Sequence, residues 1–478
     1  MALLDKINLR GGVTDLWKTI KRLTGRPTPP RCQPLTFGDK TVWEAGEAAK
    51  LFNRQFNPRP DQYSRQTRQT VRKFHGSRDD DHQFGEDEVA QAIKATRSSM
   101  ALGPDQLAPV YLKHLGPRGI KFLTVTINLS LSSYRIPERW KVGRVIPLLK
   151  PNKPADIAKS YRPIALLSPV AKLIERLLLP TIVEHSHLAE HQHGFRKGRS
   201  TTTALNLITH QIKMGFNRPP PADRTVLVAL DLTAAFDTVD HTVLLEDLNS
   251  TEIPPAVKKW LYGYLRGRST VVEYKGKRSK KRKMRQGVPQ GGVLSPALFN
   301  LYMSKLPSPP PSVSLVSYAD DITIMSSAVE PGTACNNINQ YLTELHAWLE
   351  ERNLRLSEPK SSATLFTTWS AQRGSQLHIT VAGKELPTTR EVKVLGVTLD
   401  QSLTFASHAN NIGNRLGEKN KILKCLAGTG WGCSKEVLLS TYKTIGRSII
   451  NYAAPVWTPT LSETNWQKHL QTETKCCS

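Results

Sequence analysis

Ser317-Tyr318-Ala319-Asp320-Asp321-Ile322-Thr323-Ile324 places two adjacent aspartates between apolar residues. The apolar residues on both sides of the acidic pair predict two short strands, with Asp320 and Asp321 at the turn between them. Adjacent carboxylates repel each other unless cations lie between them, so the pair indicates a metal site. Taken alone, the stretch also fits a solvated turn, because aspartate is a common turn residue.

A second acidic centre favours the metal site. Residues 226–230 form a continuous apolar run that predicts a buried strand ending at Asp231. If this strand lies beside the hairpin, Asp231 and Asp320 face each other across one sheet. Carboxylates on neighbouring strands can hold two divalent ions, and Mg²⁺ suits them because it prefers oxygen ligands. We therefore expect Asp231, Asp320 and Asp321 to be catalytic residues that bind two Mg²⁺ ions, with Mn²⁺ as an alternative.

Three motifs in this order resemble those of reverse transcriptases from non-LTR (LINE-type, jockey-like) retrotransposons. They are ALDLTAAFD at 229–237, RQGVPQGGVLSP at 285–296 and YADD at 318–321. The resemblance implies an α+β, right-hand polymerase fold with an antiparallel palm sheet bearing the aspartates, basic fingers before it and a helical thumb after it. The activity it implies is RNA-directed DNA polymerase, working by two-metal nucleotidyl transfer.

The resemblance also implies residues that bind the incoming nucleotide. Arg162 and Lys150 would contact its triphosphate, and Phe236 would lie under its sugar and favour deoxynucleotides. Gln290 and Gly291 would line the same pocket. Lys360 would protonate the leaving pyrophosphate as a general acid. Without the resemblance, Lys150 fits a surface lysine and Phe236 a core residue, while Asp237, Asp240 and His241 are interpreted as caps or surface groups.

The charge of the chain predicts a polyanionic partner. It carries 66 Lys and Arg residues against 40 Asp and Glu, a formal net charge of +26. Two basic segments are predicted to contact nucleic acid: a glycine-containing loop at 192–200 and a run at 275–285 that also fits a nuclear import signal. The expected contact residues are Arg196, Lys197, Arg199, Lys280, Lys281 and Arg282.

The expected partners are an RNA template, a DNA primer or target, dNTPs, and the element RNA in a ribonucleoprotein. No apolar run approaches the length of a membrane span, so we expect no membrane partner. The apolar residues at the beginning of the sequence are too few for a signal peptide, because Asp5 already follows Leu4. The six cysteines have no Cys-x-x-Cys spacing. We therefore expect an intracellular protein without structural zinc, in the nucleus and cytoplasm as a ribonucleoprotein.

Three segments are predicted: an N-terminal extension or linker at 1–83, a reverse transcriptase domain with fingers and palm at 84–400, and a helical thumb with a C-terminal segment at 401–478. A helix is expected over 13–23, and the aspartates at 79–81 are interpreted as a solvated run. Further helices are predicted at 86–97, 120–134, 201–214, 255–265 and 336–352. Related elements encode an endonuclease before the polymerase, so we expect a fragment or a truncated copy.

Two alternatives remain open. A related RNA-templated polymerase, such as an RNA-copying RNA polymerase or an intron maturase, would share the carboxylates and differ in nucleotide choice at Phe236. An inactive element-derived fragment would bind RNA without copying it.

Overall fold

The computed structural model describes residues 34–58, 82–99, 101–427 and 433–467. The helix expected over 13–23 and the aspartates at 79–81 lie outside these residues. Within them the chain mixes helices and mostly antiparallel sheets, so the α+β class is confirmed. No helix in these described ranges combines the length and apolarity that crossing a membrane requires.

The strands are β1 Leu35–Phe37, β2 Lys40–Val42, β3 Val142–Leu149, β4 Tyr161–Leu166, β5 Arg224–Leu230, β6 Ser269–Tyr274, β7 Lys277–Arg278, β8 Arg282–Lys283, β9 Ser314–Tyr318, β10 Asp321–Ala328, β11 Ser362–Phe366, β12 Thr380–Val381, β13 Lys384–Glu385, β14 Glu391–Val394 and β15 Val397–Asp400.

The helices are α1 Ala45–Phe56, α2 Glu86–Lys94, α3 Pro109–Lys113, α4 Pro117–Ser132, α5 Pro169–Glu184, α6 Thr201–Phe216, α7 Ala235–Thr238, α8 His241–Asn249, α9 Pro255–Leu265, α10 Ser295–Met303, α11 Pro331–Glu351, α12 Ala406–Leu426, α13 Lys435–Asn451 and α14 Ala454–Trp457.

A four-stranded antiparallel sheet in the order β11-β5-β10-β9 positions the acidic residues. The side chains of β5 alternate between two apolar clusters: Val226 and Val228 belong to one, and Leu227 to the other. Because both faces of β5 are covered, the strand is a continuous apolar run rather than an alternating one. Residues of α10 and α11 belong to the first cluster and residues of α6 to the second.

A second sheet, in the order β4-β3-β6-β7, carries the basic run at 275–285. Here β3 pairs antiparallel with β4 and parallel with β6, while β8 also pairs with β6. The basic run at 275–285 therefore begins in the turn after β6 and contributes two short strands to the sheet.

The N-terminal part of the described chain packs on this second sheet. Much of residues 1–83 was expected to be linker, but β1, β2 and α1 form an apolar cluster with side chains of β3, β4 and β6. Asn53 is buried and its Nδ2 donates to the Ser279 hydroxyl at 2.8 Å. Phe52 is fully buried beside Tyr161 and Tyr274. The expectation of a linker is therefore wrong for residues 35–56, because aromatic packing ties them to the sheet.

Several predicted helices match the structure closely. Helix α9 has its predicted bounds, and α11 buries Leu342, Leu345 and Leu349 as expected. Helix α2 ends at Lys94, three residues before the predicted end. Most of the described residues after 400 are helical, as expected, and α12 packs against β15 and α13.

Candidate active site

The ends of β5 and β10 bring the three predicted aspartates together. Ile322 pairs with Leu230, so Asp321 and Asp231 take the next positions across the antiparallel pair. Asp320 lies in the turn between β9 and β10, beside Ala319, whose φ is +56°. The predicted adjacency of the strand and the hairpin is therefore confirmed, and it places three carboxyl groups at one end of one sheet.

The charges of these carboxyl groups act on one another. Burial raises the pKa of Asp320, repulsion by Asp231 raises it further, and Lys360 and Arg162 oppose the change. Burial and the charges of Asp320 and Asp231 raise the pKa of Asp321 to about 6. Holding three carboxylates ionised here therefore costs free energy, which a bound cation would offset.

Lys360 already supplies one positive charge. Its ammonium group donates to Asp231 Oδ2 at 2.6 Å, and the lysine side chain remains 64% exposed. The turn before β11 positions this contact, because Ser357 N donates to Asp231 O at 2.7 Å and Asp231 N donates to Ser361 Oγ at 3.3 Å. The predicted general acid thus lies in direct contact with a predicted metal ligand.

The donor set fits a hard divalent ion, since it consists of carboxylate oxygens in a mutually repulsive group. Among the residues that the structure describes, no three Asp, Glu, His or Cys side chains converge closely enough to chelate an ion as they stand. Because Lys360 is bonded to Asp231, chelation by this group requires side-chain rotation.

The loop at 192–200 holds the acidic hairpin. Gln192 is 2% exposed, and its Oε1 accepts from Ala319 N at 2.9 Å and from Gly194 N at 2.8 Å. His193 N donates to Ser317 O at 2.8 Å. A Cβ on Gly194 would lie 2.4 Å from Ala319 N, so only glycine allows this approach. Gly194 therefore allows the backbone of this loop to lie directly against the backbone of the hairpin.

The predicted nucleic-acid residues of this loop differ in their surroundings. Arg196 and Arg199 both form ion pairs with Glu190, and each arginine side chain is only 23% exposed. Arg196 also donates to Ala189 O at 2.8 Å. Lys197 is exposed. Of the three cations, Lys197 is therefore the most accessible to a phosphate.

The predicted triphosphate residues lie on the second sheet, near the aspartates. Arg162 is an exposed residue of β4 and its charge opposes the raised pKa of Asp320. Lys150 follows β3, and its Nζ donates to Lys159 O at 3.1 Å. Burial lowers the pKa of Lys150, and the nearby charges of Lys360 and Arg162 lower it further. Lys150, Arg162 and Lys360 thus lie close enough to the acidic group for their charges to act on it.

The predicted sugar contact, Phe236, is part of an aromatic series. Its ring stacks on the buried Phe299 with centroids 4.3 Å apart, and the exposed Phe195 meets it edge-on at 6.3 Å. Both the core interpretation and the nucleotide interpretation fit this partly buried ring.

The predicted pocket residues Gln290 and Gly291 lie on a loop against β4. Ala165 N donates to Gln290 O at 2.7 Å, and a Cβ on Gly291 would lie 2.4 Å from Ala165 O. Gln290 Nε2 donates to Asp237 Oδ1 at 2.9 Å. Sequence reasoning missed this role of Asp237, because the two residues are far apart in the chain and share no periodic pattern.

Of the two residues near Asp237 that were expected to be caps or surface groups, Asp240 has an expected role and His241 does not. Asp240 caps α8 as expected, with its carboxylate accepting from Thr242 N at 2.6 Å. His241 instead contacts the pocket loop, with Nε2 2.8 Å from Gly287 O.

The basic run at 275–285 presents most of its cations to solvent. Lys280 and Lys281 are exposed, as the predicted contact with nucleic acid requires. Arg282 is partly buried and donates from Nε to Asn57 O at 3.0 Å, which ties β8 to the end of α1.

Comparisons with known proteins agree on one family. The model of the family described as "Reverse transcriptase (RNA-dependent DNA polymerase)" matches residues 149–399. The chain is 30% identical over 382 residues to "Probable RNA-directed DNA polymerase from transposon BS" of Drosophila melanogaster, covering 78% of this chain and 41% of that protein. It is 26% identical over 460 residues to "RNA-directed DNA polymerase from mobile element jockey" of the same organism, covering 92% and 49%.

The chain therefore spans less than half the length of either relative. Among solved structures, "Structure of apo telomerase from Candida Tropicalis truncated from C-terminal domain" is 11% identical with a TM-score of 0.39, over 59% of this chain and 58% of that one.

The hairpin contact gives a first test. Gly194→Ala forces the loop away from Ala319 and should destabilise the protein by about 1–3 kcal/mol, measured by urea unfolding. Gly332→Ala is the matched control, because nothing lies within 4 Å of its Cβ position. Equal stabilities of the two variants would contradict the packing described.

The raised pKa of Asp321 gives a second test. Its pKa rises from 3.8 to about 6 on folding, so the folded protein loses stability as the pH rises through this range. Asp321→Asn removes the repulsion and should raise the Tm at pH 8, with no comparable gain at pH 4, by calorimetry. Asp39→Asn, at an exposed turn, should leave the Tm unchanged at both values. A gain at pH 4 as large as that at pH 8 would exclude charge repulsion as its cause.

Proposed function

This chain belongs to the reverse transcriptase (RNA-dependent DNA polymerase) family, as its motifs predicted, and on that premise we propose that it copies retrotransposon RNA into DNA. The reaction extends a DNA primer on an RNA template with dNTPs. The observation that supports it best is the group formed by Asp231, Asp320 and Asp321, faced by the cations of Arg162, Lys150 and Lys360. This combination can bind both metal ions and a triphosphate.

We assign the parts of a right-hand polymerase as follows. The β11-β5-β10-β9 sheet is the palm, and the second sheet with the segment before it forms the fingers. The helices after residue 400 are the thumb. The alternation of apolar clusters on both faces of β5 supports the palm assignment, since it makes the sheet a rigid support for the acidic residues.

The three aspartates would hold two Mg²⁺ ions, or Mn²⁺ in their place. When bound, such ions stabilise the attacking and leaving oxygens of an in-line phosphoryl transfer. Asp231 and Asp320 are the main ligands, from two neighbouring elements of the sheet, and Asp321 assists. The ionised forms bind cations, so the raised pKa of Asp321 predicts that metal affinity falls below about pH 6.

The cations and the pocket loop would bind the nucleotide. Arg162 can donate two hydrogen bonds to phosphate oxygens, and Lys150 adds a point charge. Lys360 would leave Asp231 and donate its proton to the leaving pyrophosphate. Phe236 would restrict the 2′ position of the sugar, and Gln290 with Gly291 would complete the pocket.

The template and primer would lie along the basic segments. Lys197, Lys280 and Lys281 are exposed and can neutralise phosphates directly. Arg196 and Arg199 would exchange Glu190 for phosphate or position the loop, and Arg282 would hold β8 in place. Binding to the element RNA through these cations would form a ribonucleoprotein, and the basic run would also serve nuclear import.

Primer extension tests the proposal. The full chain is given an RNA template, a DNA primer and Mg²⁺, with dNTPs and NTPs offered separately. We expect extension with dNTPs only, and a fall of about 100-fold or more in Asp320→Asn. Asp39→Asn is the control at an exposed turn and should extend primers normally.

Other outcomes separate the alternatives. Extension with NTPs would favour a related RNA polymerase. If the wild type and Asp320→Asn both bound RNA in a salt-sensitive way and neither extended a primer, this would contradict the polymerase proposal and favour an RNA-binding protein.

A further inference from the structure

The turn that carries Asp237 and the loop that carries Gln290 form one unit. Gly287 N donates to Val239 O at 2.7 Å, and Val288 N donates to Phe236 O at 2.8 Å. Gly287 has φ +80°, and a Cβ there would lie 2.7 Å from Asp237 O. The backbone of the loop therefore lies directly on α7 and cannot move independently of it.

The other side of the loop is fixed as well. The carbonyl of Gln290 accepts from Ala165 N of β4 at 2.7 Å. Gly291 has φ +127° and leaves no room for a Cβ against Ala165 O. The main chain of Gln290 is thus held between α7 and the strand that carries Arg162.

The side-chain amide of Gln290 can still rotate, and its hydrogen bond to Asp237 determines its orientation. An ionised carboxylate can only accept hydrogen bonds, so its partner at 2.9 Å must be the Nε2 amino group. When Nε2 donates to Asp237, the carbonyl oxygen Oε1 of the same amide faces away from Asp237. A partner at that end must be a hydrogen-bond donor, such as a hydroxyl of a nucleotide sugar.

We propose that Asp237 is a positioning residue that fixes the amide of Gln290 with Oε1 presented to a hydroxyl donor of the incoming nucleotide. This inference rests on the proposed function and adds a residue to its nucleotide pocket. Asp237 acts through Gln290 and does not itself touch the nucleotide.

The same geometry makes the orientation depend on pH. Burial raises the pKa of Asp237 to about 7, while the bond from Gln290 and the charge of Lys150 oppose the rise. Asp237, Gln290 and Arg268 line one cleft. Burial lowers the pKa of His241, which contacts Gly287 O. Below about pH 7 the protonated Asp237 can donate to Oε1, which turns the amide over and removes the acceptor from the nucleotide.

The test compares Asp237→Asn, Gln290→Ala and the double variant in primer extension from pH 6 to 8. Asparagine can accept or donate, so Asp237→Asn loses the preference for one orientation while keeping the shape. We expect its KM for dNTP to rise about 3- to 10-fold at pH 8, with kcat changed less. At pH 6 the KM of the wild type for dNTP should approach that of Asp237→Asn. The KM of the double variant should be no higher than that of Gln290→Ala.

Asp240→Asn is the matched control, because Asp240 caps α8 without contacting Gln290, and its KM should equal that of the wild type. The inference would be overturned if Asp237→Asn had the wild-type KM at every pH. It would also be overturned if the increases in KM of the two single variants multiplied in the double variant. Binding of dNTP to the complex with a dideoxy-terminated primer, which cannot react, gives the same comparison without turnover. A wild type that binds dNTP with this pH dependence but extends no primer would defeat the proposed function alone.

Discussion

The antiparallel pairing of β5 with β10 is the constraint on which the candidate site depends. Its register places Asp231 opposite Asp321, at the end of the sheet where the hairpin turns. A slip of one residue would exchange the two faces of β5, and both faces are buried. The apolar core therefore holds three carboxyl groups close together against their mutual repulsion. Part of the free energy of core packing therefore offsets the repulsion among these carboxyl groups.

Two further contacts make this arrangement stable. Lys360 neutralises part of the charge by its bond to Asp231. Gln192 holds Ala319 in the left-handed region, a backbone conformation that costs free energy for a residue other than glycine. Both contacts lie next to the aspartates, one of them exposed at Lys360 and the other buried at Gln192. The site thus combines a rigid sheet with a turn that is held by a buried amide.

The sequence predicted the parts of the site that lie on regular strands. The continuous apolar run before Asp231 and the apolar residues on both sides of the acidic pair are local sequence signals of strands, and the structure pairs these strands as expected. The contacts of Gln192 with Ala319 and of Asp237 with Gln290 have no such signal, because each joins loop residues distant in sequence. The packing of α1 was missed for a related reason: its single apolar face is informative only once the second sheet supplies a partner. Loop contacts of this kind follow from tertiary packing, so one sequence does not reveal them.

If Asp231, Asp320 and Asp321 form one site for divalent ions, as we propose, the protein should bind Mn²⁺ through these carboxylates. Electron paramagnetic resonance would measure free Mn²⁺ in the presence of dNTP and a dideoxy-terminated primer on an RNA template. We expect the wild type to bind Mn²⁺, and we expect Asp231→Asn to bind it more than about tenfold more weakly. Identical binding isotherms for the two proteins would contradict it, since Asp231 would then hold no ion.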